Sequence, residues 1–151
     1  MVAANDAGTQ YRVLMFEDGL RLTRQHPWFG VGMDTIKARW RELNIRGYER
    51  FDYHSHFHCL PIQIAAERGL LALAVLIWLM FSYMRLLLRL LRRVSAQDWI
   101  LRGAAFGIFS AVTGFLVGSP AHYGFGGYEI QMPFWFMMGM AIALDRFLPL
   151  S

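Results

Sequence analysis

Gly69–Met84 reads GLLALAVLIWLMFSYM, sixteen residues without a single charge. As a helix the stretch covers about 24 Å at 1.5 Å rise per residue. Leu86, Leu87 and Leu88 lengthen it toward a full bilayer crossing if the Arg85 head group snorkels to the interface. This segment decides the fold: the chain is predicted to be an all-α, polytopic membrane protein.

Two further apolar segments lie downstream. Gly103–Gly118 (GAAFGIFSAVTGFLVG) is also charge-free, and Gly103, Gly107, Gly114 and Gly118 give small-xxx-small spacings that let helices approach closely in lipid. It is read as a second span packed against a neighbour. Ile130–Leu144 (IQMPFWFMMGMAIAL) is shorter, contains Pro133 and runs into Asp145-Arg146. Its length fits either a third span or a half-buried core helix. The expected membrane region is thus 69–151, with two to three spans at about 69–91, 103–118 and 130–146. The polar N-terminus Met1–Gln10 has no apolar core of a signal peptide.

Composition agrees with this reading. Of 151 residues, 56% are hydrophobic and 17% charged, against about 25% charge in ordinary soluble domains. A single cysteine excludes an internal disulfide. The net charge of +4 does not point to nucleic acid, because there is one lysine and no basic stripe interleaved with exposed aromatics. Nine of the fifteen basic residues, eight of the eleven acidic ones and four of the five histidines lie in 1–68, so that half is expected to face water. Arg85, Arg89, Arg92, Arg93 and Arg102 lie between the first two spans, which makes that connection cytoplasmic by the positive-inside rule. Residues 1–68 are then an extracytoplasmic helical loop region, and Ser119–Glu129 (SPAHYGFGGYE) lies on the same side.

Within the water-facing half, Tyr11–Gln25 is predicted helical and stops before His26-Pro27. At 100° per residue Glu17, Asp18, Arg21 and Arg24 share one arc, while Val13, Met15, Phe16, Leu20 and Leu22 occupy the other. Arg12 projects into the apolar arc. There it either meets a buried anion or sits at a frayed first turn; directed inward, its fork suits a diphosphate. His26-Pro-Trp-Phe-Gly-Val-Gly32 is a turn whose glycines are expected to let backbones pack closely. Asp34–Arg46 is a second amphipathic candidate, with Asp34 a possible cap and Ile36, Trp40 and Leu43 at helical spacing. Tyr48–Tyr53 shows no clear period.

His54-Ser-His-Phe-His58 is the densest chemistry in the chain. An extended backbone would place all three imidazoles on one face, as zinc or copper would require, and a helix would align only His54 and His58. No carboxylate stands at matching ligand spacing. Pro61 suits the first turn of a helix, so His58 falls just before a helix N-terminus. Such a site favours an anion and keeps an imidazole neutral, able to accept a proton.

The two blocks RVLMFEDGLRLTRQHPWFGVG, from Arg12, and HSHFHCLPIQIAAERGLLAL, from His54, resemble the O-antigen ligase and polymerase superfamily of bacterial membrane glycosyltransferases. The first resembles that family's arginine, helix and Pro-aromatic-Gly-x-Gly turn. The second is similar to its histidine, helix and Glu-x-Gly-Leu element. The resemblance spans Tyr11–Leu73 and, less specifically, EIQMPFWFMMGMA; Cys59 stands where many relatives have Asn, and Pro61 is unusual there. It implies transfer of a glycan from an undecaprenyl diphosphate carrier to an acceptor hydroxyl, on lipid A core, another glycan or a protein, at the outer face of the inner membrane. In that reading His58 and Arg12 are catalytic, His56, His54, Glu67 and Arg24 bind substrate, and neither metal nor cofactor is needed. The resemblance covers only the last third of such proteins, so the chain is expected to be the C-terminal part of a larger one, incomplete by itself. The alternative from another class is a small non-enzymatic integral membrane protein whose histidine cluster binds metal.

Overall fold

The computed structural model describes residues 2–51, 56–95 and 97–147, with the side chains of 2–6 and 51 excepted. Its regular elements are all helical: α1 (Val2–Gln25), α2 (Thr35–Ala38), α3 (Arg46–Phe51), α4 (Leu60–Arg93), α5 (Trp99–Gly118), a 3-10 turn (Gly124–Gly126) and α6 (Tyr128–Phe147). α4 and α5 are long and apolar enough to cross a membrane, and only 17% of the apolar window of each is buried. A core helix of a soluble protein would bury most of that surface. The third apolar segment forms the 20-residue α6, with Pro133 inside it, and does not reach the same apolarity.

The chain divides into two compact units, 1–75 with 119–123, and 76–118 with 124–151. In the second unit Tyr83, Leu87 and Leu90 of α4 share a core with Ile108 and Val112 of α5 and Phe134 and Ala141 of α6. Phe134 stacks among Phe115, Phe125 and Trp135, with ring centroids 4.9–5.3 Å away. Of the arginines expected in a loop, Arg85, Arg89, Arg92 and Arg93 lie on α4 and Arg102 on α5, and Arg93 reaches Asp145 at 3.2 Å. The glycines of α5 pack against nothing: no heavy atom lies within 4 Å of a Cβ built at Gly103, Gly107, Gly114 or Gly118.

The first unit is built on α1, which ends at Gln25 as the His26-Pro27 signal predicts but begins earlier than expected. Its faces follow the projection at Met15, Leu22, Glu17 and Arg24 and depart from it elsewhere. Asp18 is fully buried with Tyr11, Met15 and Leu22, whereas Val13, Phe16 and Leu20 are exposed. The cause is polar. Asp18 accepts the backbone N–H of Arg46 at 2.8 Å and its Nε–H at 2.8 Å, so it caps the first turn of α3. Arg21 donates to the carbonyls of Leu43 and Asn44 at 2.9 and 2.8 Å, closing the segment before α3. A buried carboxylate with these donors is satisfied.

The second amphipathic segment is a helix only over Thr35–Ala38; Asp34 stands before it in a left-handed conformation and makes no side-chain cap. Ile36 is buried, and Trp40 and Leu43 pack on the same core, as the spacing predicts. Tyr48, fully buried, anchors the short α3.

Candidate active site

α4 begins at Leu60 with Pro61 in its first turn, yet it is not one helix. At Gly69 the backbone turns to φ 84°, ψ 172°, a region open in practice to glycine alone. Pro27–Gly32 fills the break. Leu70 N–H, which in a continuous helix would bond to the Ala66 carbonyl, donates instead to Pro27 O at 2.7 Å, and Ala66 O receives Val31 N–H at 2.9 Å. Gly32 N–H adds a bond to Glu67 O at 2.9 Å. The exchange leaves these groups satisfied while the chain changes direction. Both glycines are needed for it: a Cβ at Gly69 would fall on the carbonyl of Trp28, and one at Gly30 on the backbone of Glu67. The two sequence blocks, far apart in the chain, are thus one interlocked element.

The histidine segment enters α4 directly above this joint. The Gln63 side chain accepts Phe57 N–H at 2.9 Å, and Gln63 in turn hydrogen-bonds to Glu67, whose carboxylate also receives the N–H of Asp34. Gln63 and Glu67 are both buried. A buried polar chain therefore runs from the turn after Gly32 to the backbone beside His58. Burial outweighs those hydrogen bonds and raises the Glu67 carboxyl above its ordinary value.

His58 itself is held at φ 54°, a left-handed conformation that costs a non-glycine residue of order 1–3 kcal/mol and gathers at functional sites. Its ring meets the edge of Tyr11 at 5.7 Å and the ring of His56 at 4.5 Å. Burial, followed by the charge of Arg12, lowers its proton affinity. Burial, with His58, His122 and Lys37 nearby, lowers that of His56 to about 4. Both imidazoles are therefore neutral at pH 7. Arg12 lies in the middle of α1 on its exposed side, not at a frayed end.

The structure thus brings Arg12, His56 and His58 into one electrostatic neighbourhood. Glu67 is tucked beneath the histidine segment. Arg24 is exposed in the last turn of α1, and no described contact joins it to the histidines. His54 lies outside the described residues. Among the described residues, no three histidine, cysteine or carboxylate groups converge as a metal ion would require.

The loop 119–123 adds two residues that were not singled out in the sequence. Leu60 N–H donates to Ser119 O at 2.9 Å, pinning the loop to the start of α4. His122 and Tyr123 then stand 6.1 and 5.2 Å from His56, ring to ring. Burial, then the neighbouring Glu67, raises the Tyr123 phenol. Their one signal in the sequence is the expectation that this loop lies on the same side of the membrane as 1–68.

A family profile described as O-antigen ligase matches residues 1–77, a segment that contains α1, the Pro27–Gly32 turn, the His56–His58 segment and the Gly69 joint. Neither the curated proteins nor the solved structures give a match. With half of the sequence covered, and both interlocked blocks inside the matched segment, the chain belongs to the O-antigen ligase family.

Proposed function

We propose that this chain carries the reaction centre for transfer of a glycan from an undecaprenyl diphosphate carrier to the hydroxyl of an acceptor: lipid A core, another glycan or a protein. The observation that carries the reading is His58, held neutral in a strained backbone conformation within the field of Arg12. A transfer of this kind breaks the bond between the anomeric carbon and the diphosphate oxygen and forms one to the acceptor oxygen. The electron pair leaves with the diphosphate, whose charge needs a cation at the headgroup plane; Arg12 supplies it. The acceptor proton needs a base within reach, and neutral His58 accepts it. His56 lines the same space, with His54 two residues before it in sequence. Arg24 adds positive charge for the approaching donor, and Glu67 contributes through Gln63. The arginine takes the role that a divalent metal fills in other diphosphate chemistry.

In this reading residues 1–68 form the water-facing region and 69–151 the membrane region. The site faces the periplasm across the bacterial inner membrane, where lipid-linked glycans are presented. Arg12→Ala and His58→Ala, introduced at the chromosomal locus so that the reading frame stays intact, test it. Each is expected to cut glycan transfer at least about 100-fold, the scale of a lost transition-state contact or general base, with lipid-linked donor accumulating. Arg12→Lys should retain part of the activity. Undiminished transfer with either alanine variant would overturn the mechanism.

A further inference from the structure

The Pro27–Gly32 turn presents its aromatic side chains outward. Trp28 is 63% exposed and Phe29 80%, although the backbone on either side of them is tied down by hydrogen bonds. In water such a pair would be a liability. Their height, however, is fixed by the joint: Pro27 O is bonded to Leu70 N–H, and the Trp28 carbonyl occupies the space where Gly69 lacks a Cβ. Gly69–Leu70 is where the charge-free stretch of α4 starts, and from there the exposed side chains of the same unit are Leu70, Leu71, Ala74 and Val75. Directly before the pair, Arg24, Gln25 and His26 are exposed; Arg68 is exposed just ahead of Gly69. Polar groups on the near side, two free aromatic rings at the boundary and aliphatic side chains beyond make the profile of a membrane–water interface, where tryptophan and other amphipathic rings concentrate.

We infer that the His26–Gly32 turn is an interfacial anchor, with Trp28 and Phe29 inserted into the boundary between headgroups and acyl chains of the bilayer that α4 crosses. The occupant of this surface is lipid, because the turn is bonded to α4 at the point where its charge-free, exposed stretch begins. The anchor sets the height of the histidine segment above the membrane independently of any substrate. It requires only that α4 spans the bilayer, so it stands or falls separately from the glycan-transfer reading.

The test uses the whole protein in phosphatidylethanolamine–phosphatidylglycerol vesicles, with a nitroxide on a single cysteine at Trp28→Cys, Phe29→Cys or, as a water-exposed control, Glu42→Cys, each in a Cys59→Ser background. At positions 28 and 29, collision with oxygen is expected to exceed collision with a water-soluble nickel chelate several-fold; at position 42 the order reverses. If 28 and 29 behave like 42, the turn lies in water and the anchor is refuted. If both are shielded from both reagents, another protein segment covers the surface and the lipid assignment is equally wrong. A milder variant guards against misfolding. With Trp28→Phe, quenching of total tryptophan fluorescence by lipids brominated near the glycerol should fall relative to the unmodified protein. Unchanged quenching would count against the anchor.

Discussion

Replacing Gly69 by alanine should unlock the joint that positions the histidine segment. The new Cβ meets the Trp28 carbonyl, and a residue other than glycine at φ 84°, ψ 172° carries a strain of about 1–3 kcal/mol. Relief comes from moving the turn away. That sacrifices the bonds from Leu70 N–H to Pro27 O, from Val31 N–H to Ala66 O and from Gly32 N–H to Glu67 O, each worth about 1 kcal/mol. If α4 straightens, Leu70 regains Ala66 as its acceptor and recovers one of them. The net loss is about 2–3 kcal/mol, enough to lower the Tm of a domain of this size by roughly 5–10 °C. Thermal unfolding in detergent micelles measures the total, and hydrogen exchange at the Val31, Gly32 and Leu70 amides locates it. Gly103→Ala, where a Cβ meets nothing, serves as the control and should be neutral or slightly stabilising, since alanine is the better helix former. A Gly69→Ala protein with an unchanged Tm and those three amides still protected would refute the reasoning.

Asp18→Ala should destabilise the first unit by about 3 kcal/mol, because the N–H and guanidinium of Arg46 lose a fully buried charged acceptor; Asp18→Asn, which keeps one acceptor oxygen, should lose less, and denaturant titration separates the two. The depressed His56 predicts a pH dependence with a defined sign. The folded state holds this ring neutral down to about pH 4, while the unfolded chain takes up its proton near pH 6.5. Stability is therefore full above about pH 6.5 and falls as the pH drops toward 4. His56→Gln should flatten that part of the curve, and an unchanged slope would exclude His56 as its source. His58 shifts in the same direction, so transfer activity should hold its plateau below pH 6.5 rather than decline there as an unperturbed histidine would dictate.

What was legible in the sequence follows the strength of the local signal. Charge-free length picked out α4 and α5, His26-Pro27 fixed the end of α1, Pro61 marked the start of α4, and the glycines of the Gly30-Val-Gly32 turn were read as sites of close backbone approach. The projection of α1 failed at Asp18, Val13, Phe16 and Leu20 for a physical reason: it assumes that every charge seeks water. Asp18 instead finds its partners in Arg46 and Arg21, residues that no period connects to it. With that face of α1 turned inward, Phe16 and Leu20 are left outside. Asp34 had the composition of a cap but adopts a left-handed backbone that aims its side chain elsewhere. His122 and Tyr123 were missed because their place beside His56 depends on a hydrogen bond between Leu60 and Ser119, a pairing between residues with no local pattern in common. Gly69 is read in the sequence as the start of the charge-free span and as the glycine of the Glu-x-Gly-Leu element. That it breaks α4 depends on a turn far upstream arriving to take over its hydrogen bonds.

The break at Gly69 also divides the chain by tolerance to change. Pro27–Gly32 and Ala66–Leu70 are held together at 2.7–2.9 Å, so the intervening stretch, 33–65, is a closed loop with both ends fastened at one point. Lengthening such a loop costs little, since each doubling adds only about 0.6 kcal/mol of closure entropy. One residue inserted within either fastened segment would put all its donors and acceptors out of step. The stretch can therefore be treated as a cassette: transplanted whole between proteins that share the fastening, it carries its histidines along in register, whereas a graft cut inside the fastening carries nothing usable.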